Sequence, residues 1–171
     1  SPSVALLLFI MRSILLRNAN LIVTDGVKAS VSIVKRGSVP ALKLDYEFSG
    51  AGYATVRLPV SIDLPGNFAF RFQAWGAGPR NTLEFKVLDA STDNVWWVHR
   101  ANHAFSSTPV SLINKRRHFW YAWGPERELF GHAAFVDLTV TATTGGKGTV
   151  YFSQLIFEEL PEPLAATTPV V

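Results

Sequence analysis

The sequence predicts an all-β chain folded as a two-sheet antiparallel β-sandwich, and three observations carry that expectation. Glycine and proline, 12 and 10 of the 171 residues, recur at short and fairly regular intervals. The segments between them are rich in β-branched and aromatic residues, which suit a pleated, half-buried surface. After residue 20 no segment has the apolar period of an amphipathic helix. Many short strands with a turn signal every few residues describe a sandwich, not an alternating α/β fold.

The elements follow from those signals in order. Strands are expected over 21–24 and 29–35, parted by Asp25-Gly26, and over 41–48 after the Arg36-Gly37 turn. Gly50 to Gly52 opens a strand over 54–62, and Leu64-Pro65-Gly66-Asn67 closes it. The next, 68–75, reads FAFRFQAW, with Phe68, Phe70 and Phe72 on one face and Arg71, Gln73 and Trp75 on the other. Past the turn at Gly76 to Pro79, LEFKVLD lies in a strand over 82–89 and sets Leu83, Phe85 and Val87 against Glu84 and Lys86. Ser91 to Asn94 turns the chain into a strand over 95–99. HFWYAW, over 118–123, sets Phe119, Tyr121 and Trp123 against His118 and Trp120 and stops at Gly124-Pro125. FVDLTVTA, in a strand over 134–141, sets Val136, Leu138 and Val140 against Phe135, Asp137, Thr139 and Thr141. The glycines at 145, 146 and 148 lead into a last strand over 150–158. One face of these strands is a greasy core; the other mixes polar and aromatic residues.

The domain is expected over 21–158, with an apolar segment at 1–20 and a Pro/Ala/Thr-rich linker or tail at 159–171. Residues 4–16, VALLLFIMRSILL, are interrupted by Arg12 and fall short of the roughly 20 apolar residues that cross a bilayer, so no membrane span is expected. They also lack the basic start and small-residue cleavage site of a signal peptide. Two readings stand open for them: a strand or helix packed on the sandwich, or an exposed segment that joins a neighbouring copy as a homo-oligomer contact.

Composition narrows the function. Hydrophobic residues make up 48% and charged residues 17%, as in a globular protein with a core. The net charge of +3 is mild, and only Lys115-Arg116-Arg117 is a basic cluster, so nucleic acid is not expected as a partner. With no cysteine, disulfides, thiolate metal sites and cysteine nucleophiles are excluded. His99 and His103 diverge on a strand and loop, so no metal is expected. Glu84, Asp89, Asp93, Glu126, Glu128 and Asp137 supply carboxylates, but no recognisable glycosidase pair emerges. No nucleophile elbow, phosphate loop or metalloprotease helix occurs either, so an enzyme is not expected.

The residues that do suggest chemistry are aromatic. Four of the five tryptophans lie in NTLEFKVLDASTDNVWWVHR, residues 81–100, and HFWYAWGP, residues 118–125. A two-faced strand cannot hide every large ring in one core, and Trp96-Trp97 puts one indole on each face. An exposed indole can stack on the C–H side of a pyranose. Arg71, Gln73, Glu84, Lys86, His99 and Arg100 form the polar set expected beside it, able to bond neighbouring hydroxyls. The same residues could equally be a solvated sheet face with cross-strand ion pairs such as Glu84 with Arg71. Arg80, after the 76–79 turn, either shapes its loop or reaches over the rim of a binding groove. The expected ligand set is therefore Arg71, Gln73, Trp75, Arg80, Glu84, Lys86, Trp96, Trp97, His99, Arg100 and Trp120.

GNFAFRFQAWGAGPRNTLEFKVLDASTDNVWWVHR, KRRHFWYAWGP and TATTGGKGTVYFSQLIFE together resemble the galactose-binding-like jelly-roll domains, which include discoidin domains and family 11-type carbohydrate-binding modules. The likeness runs over about 23–157 and rests on Leu83-Glu84-Phe85-Lys86, Asn94-Val95-Trp96-Trp97 and Ala122-Trp123-Gly124-Pro125. It implies a jelly roll that serves as a noncatalytic carbohydrate-binding module of a secreted bacterial protein and targets a glycoside hydrolase to polysaccharide. A catalytic domain beyond the C-terminus would then be a partner. The alternative is a structural subunit of an extracellular assembly joined through the apolar N-terminal segment. Many modules of this kind open with acidic residues that hold a structural calcium ion. This chain opens with apolar and basic residues, so no cofactor is expected.

Overall fold

The computed structural model describes residues 10–162 and places twelve strands in two antiparallel sheets. They are β1 (Met11–Ser13), β2 (Asn20–Val23), β3 (Val27–Arg36), β4 (Val39–Phe48), β5 (Gly52–Asp63) and β6 (Phe68–Ala77). The second half contributes β7 (Asn81–Leu88), β8 (Val95–His103), β9 (Val110–Lys115), β10 (Trp120–Trp123), β11 (His132–Ala142) and β12 (Gly146–Glu159). Sheet I runs β3-β4-β12-β6-β9, with β1 beside the second half of β12. Sheet II runs β10-β8-β7-β11-β5-β2. No described helix is long and apolar enough to cross a membrane. The all-β sandwich expected from the sequence is the architecture observed.

Period-two side-chain placement fills the space between the sheets. Phe68, Phe70 and Phe72 of β6 meet Phe85 of β7, Phe119, and Phe152 and Phe157 of β12, all essentially without solvent contact. Phe70 and Phe85 have centroids 5.1 Å apart, and Phe72 stacks on Phe85 at 5.6 Å. Each ring contributes about 2–3 kcal/mol by burial, so this cluster locks sheet I to sheet II.

Three details differ from the expectation. β9, VSLINK, is a strand where none was expected, a mixed-polarity edge strand of sheet I, while β1, inside the 1–20 segment, pairs with β12 as a strand packed on the sandwich. Residues 116–118 form a 3-10 turn, closed by the Phe119 N–H to the Arg116 carbonyl at 3.1 Å, so β10 begins only at Trp120. The start of the tail is tied back, with Leu160 N–H on the Asn67 carbonyl and the Asn67 amide on the Pro161 carbonyl. The rest of the tail, 163–171, and residues 1–9 of the apolar segment lie outside the described residues. Within 10–16, Ile14 is buried in the core while Ile10, Met11 and Leu15 are exposed.

Candidate functional site

Register builds the site. On the outer face of sheet II one row of directly paired residues crosses all six strands: Trp120, Trp97, Lys86, Asp137, Arg57 and Asn20. The next row is His99, Glu84, Thr139, Thr55 and Ile22, and a third holds Thr82, Thr141 and Tyr53. β7 and β11 supply the polar centre; β8 and β10 supply the indoles. Trp120 is 71% exposed and Trp123 45%, so the aromatic end of the face is open to solvent.

The polar floor is largely self-satisfied. Arg57 donates twice to Asp137, at 2.9 and 3.0 Å, a bidentate pair on a carboxylate that is itself buried. Glu84 accepts from the Thr141 hydroxyl at 2.6 Å and lies 3.0 Å from His99 Nδ1. The Thr55 and Thr139 hydroxyls pair at 2.7 Å. Lys86 is 7% exposed, with its ammonium 3.9 Å from Glu84 and 5.2, 5.8 and 5.9 Å from the ring centroids of Trp123, Tyr53 and Trp97. Burial holds its pKa below the ordinary lysine value, opposed by the negative charges of Glu84 and Asp137. Two cations and two carboxylates therefore cancel on this face, and the ring faces give Lys86 a cation–π enclosure. What is left for a ligand is the edge of each group: the far nitrogen of His99, remaining N–H bonds of Arg57 and Lys86, the half-buried Thr82 and Thr141 hydroxyls and the exposed indoles.

The residues singled out from the sequence do not all meet here. Glu84, Lys86, Trp97, His99 and Trp120 do. Arg71, Gln73 and Trp75 lie on the outer face of sheet I, on the other side of the sandwich, because β6 and β7 belong to different sheets. Arg71 accordingly pairs with Glu158 at 2.7 Å and not with Glu84. Trp75 is 8% exposed and stacks on Tyr151 at 5.3 Å and 6°. Trp96 and Arg100 point to the inner side, as alternation from Trp97 and His99 requires. Arg116 covers the Trp96 ring at 5.2 Å, and Arg100 donates to the Ile113 carbonyl at 3.3 Å, its pKa lowered by burial. Arg80 sits in the β6–β7 connection and donates to the Asn102 carbonyl at 3.3 Å, bracing one loop on another.

Sequence reasoning left Tyr53, Arg57, Trp123 and Asp137 out of the ligand set. Alternation places Trp123 inward with Phe119 and Tyr121, but the pairing of β10 with β8 slips between Tyr121 and Trp123, and the bulge swings Trp123 outward. Alternation had already turned Asp137 outward, and that was the available signal for it.

Among the described residues no group of three or more His, Asp or Glu side chains could hold a metal ion. Residues 10–20, IMRSILLRNAN, bring no carboxylate.

No family model and no curated protein matches the chain. Solved structures do match. A family 11 carbohydrate-binding module from Clostridium thermocellum, in complex with a β-1,3-1,4-mixed-linked tetrasaccharide, superposes with a TM-score of 0.69 at 11% identity over 86% of this chain and 94% of that one. The family 11 module of a cellulosomal cellulase of the same organism gives 0.67 at 11% identity over 86% and 91%. An agarase gives 0.52 at 11% identity over 81% of this chain and 23% of its own. Identities this low speak to architecture alone, and on architecture the chain is a β-sandwich jelly roll with the fold of the family 11 carbohydrate-binding modules.

Proposed function

We propose that this chain is a noncatalytic carbohydrate-binding domain that takes a polysaccharide across the outer face of sheet II. The observation that carries the reading is the row of Trp120, Trp97, Lys86, Asp137, Arg57 and Asn20, which lays exposed indoles in line with hydrogen-bonding edges across six strands. At a strand spacing of about 4.8 Å the row is about 24 Å long, room for about four or five hexose units. Trp120 and Trp123 stack on pyranose C–H faces; His99, Arg57, Lys86, Thr82 and Thr141 take hydroxyls. Because the four charges cancel in pairs, the face suits a neutral glycan. The β-1,3-1,4-mixed-linked tetrasaccharide held by the family 11 module makes a glucan the first ligand to test.

The floor also supports a binding role over a hydrolytic one. Both oxygens of Asp137 accept from Arg57, and Glu84 accepts from Thr141 and lies against His99, so both carboxylates serve to brace the floor of the face. A single open face binds weakly, and attachment to a glycoside hydrolase in a secreted bacterial protein would supply effective concentration.

Affinity electrophoresis in mixed-linkage β-glucan, with tryptophan fluorescence titration, tests the reading. The wild type is retarded; Trp120→Ala loses at least about tenfold in affinity, because the exposed indole is a main stacking surface. Absence of retardation and of a fluorescence change with every plant, algal and bacterial polysaccharide would overturn it.

A further inference from the structure

The other side of the sandwich carries a second constellation. On the outer face of sheet I, β12 pairs with β6 through Ser153 and Gln73, then through Ile156 and Arg71. Two residues of β12, Gln154 and Leu155, thus stand where β6 has only Phe72. Leu155 turns into the core. Gln154 takes φ +50, a left-handed conformation that a non-glycine residue adopts at a cost, in the middle of a strand that runs from Gly146 to Glu159. The surrounding ladder holds it there, at the bulge between Ser153 and Ile156.

Gln154 lines a cavity of about 250 Å³ together with Arg36, Val39, Gln73, Trp75 and Ser153. Arg36 ends β3 at the turn to β4, and its guanidinium lies 5.9 Å from the centroid of the Trp75 ring. Trp75 is itself fixed by its stack on Tyr151. Elsewhere on this face Arg71 holds Glu158 at 2.7 Å and Lys43 faces Asp45 at 3.8 Å. Arg36 is paired with no carboxylate among the described residues. The cavity therefore presents one uncompensated guanidinium, two primary amides, a serine hydroxyl and an indole wall, at a size that admits one hexose ring and little more.

We propose that this cavity is a second saccharide site, specific for a single anionic sugar unit, a uronate. Its carboxylate pairs with Arg36, a bidentate geometry that a neutral hexose cannot offer. The ring hydroxyls bond the amides of Gln73 and Gln154, and the sugar's apolar edge lies against Val39 and the exposed margin of Trp75. A module so built grips two different glycans on opposite faces, neutral on sheet II and acidic on sheet I.

The experiment is a proton–nitrogen NMR titration of the full chain with sodium galacturonate and, in parallel, galactose. It follows the Trp75 indole N–H signal in the wild type, Arg36→Met and Gln154→Gly. Galacturonate shifts the wild-type signal saturably and galactose does not. Arg36→Met weakens the galacturonate response by about tenfold, the scale of one lost charge-assisted pair. Gln154→Gly weakens it as well while leaving the fold at least as stable, since glycine accepts the left-handed conformation freely. Retardation of Arg36→Met by mixed-linkage glucan stays as in the wild type, which separates this site from the sheet II face. No saturable shift, an equal response to galactose, or an Arg36→Met protein that responds like the wild type would each overturn the proposal.

Discussion

Asp137 sits where the charges of the sheet II face are balanced. It is buried, it takes both Arg57 bonds, and its position in the row puts it directly between Arg57 and Lys86. Asp137→Ala strands two half-neutralised cations on one face. Breaking a fully buried pair costs about 3–5 kcal/mol. Arg57 keeps 23% of its side-chain surface in water, so the expected loss is nearer about 2 kcal/mol. The urea midpoint of the variant measures it, and a shift under about 0.5 kcal/mol would mean the pair is solvated and structurally idle. Asp137 could be read from the sequence as outward-facing, but its partner could not. Arg57 and Asp137 are 80 residues apart and meet only because β11 lies between β5 and β7, a fact of topology that local alternation does not encode.

The same limit appears at the scale of strands. Period two gives the inner and outer faces along β6, β7 and β11, because those strands are regular through FAFRFQAW, LEFKVLD and FVDLTVTA. It could not say which sheet each strand joins, so Arg71, Gln73 and Trp75 of β6 were expected beside Glu84 and Lys86 of β7 when the sandwich lies between them. It failed outright in β10, where a bulge breaks the period and frees Trp123. β10 ends at Trp123, and the next residue, Gly124, takes φ +123, with its carbonyl accepting from the Tyr121 hydroxyl. A Cβ there would lie 2.4 Å from the Asp93 carbonyl oxygen and 2.8 Å from the Asn94 Cα, both backbone. Gly124→Ala is therefore expected to cost about 2–3 kcal/mol through strain and displacement. It should also weaken glucan binding by moving Trp123. Thermal unfolding and glucan titration on the same preparation check the two effects together. A variant with wild-type melting and binding would show that the strand end yields at little cost.

At the scale of the whole molecule the sandwich was legible because turns and β-rich segments repeat along nearly the entire chain, and no competing helical period interferes. The stability of the whole domain against pH, in turn, reports on the burial of one lysine. The folded environment lowers the Lys86 pKa, chiefly by desolvation, from its ordinary 10.5. Well below the lowered value the amine is charged in both folded and unfolded chains, and the folded state carries the full cost of burying that charge. Between the lowered value and 10.5 the unfolded chain binds more protons than the folded one, so stability rises with pH across that window. Above it the amine is neutral in both states and the gain is complete, about 1.4 kcal/mol for each unit of depression. Tyr46 acts in the opposite sense. Burial raises its pKa above 10.0, so the folded chain holds its proton longer and stability falls with pH beyond that point. Lys86→Met leaves Tyr46 in place, so the difference between the two proteins isolates the lysine. Measured by urea unfolding from about pH 8 to about pH 11, the wild type should gain on Lys86→Met as pH climbs towards 10.5 and then level off. A flat difference across the range would mean that the ammonium, for all its enclosure by Tyr53, Trp97 and Trp123, remains as well hydrated as in the unfolded chain.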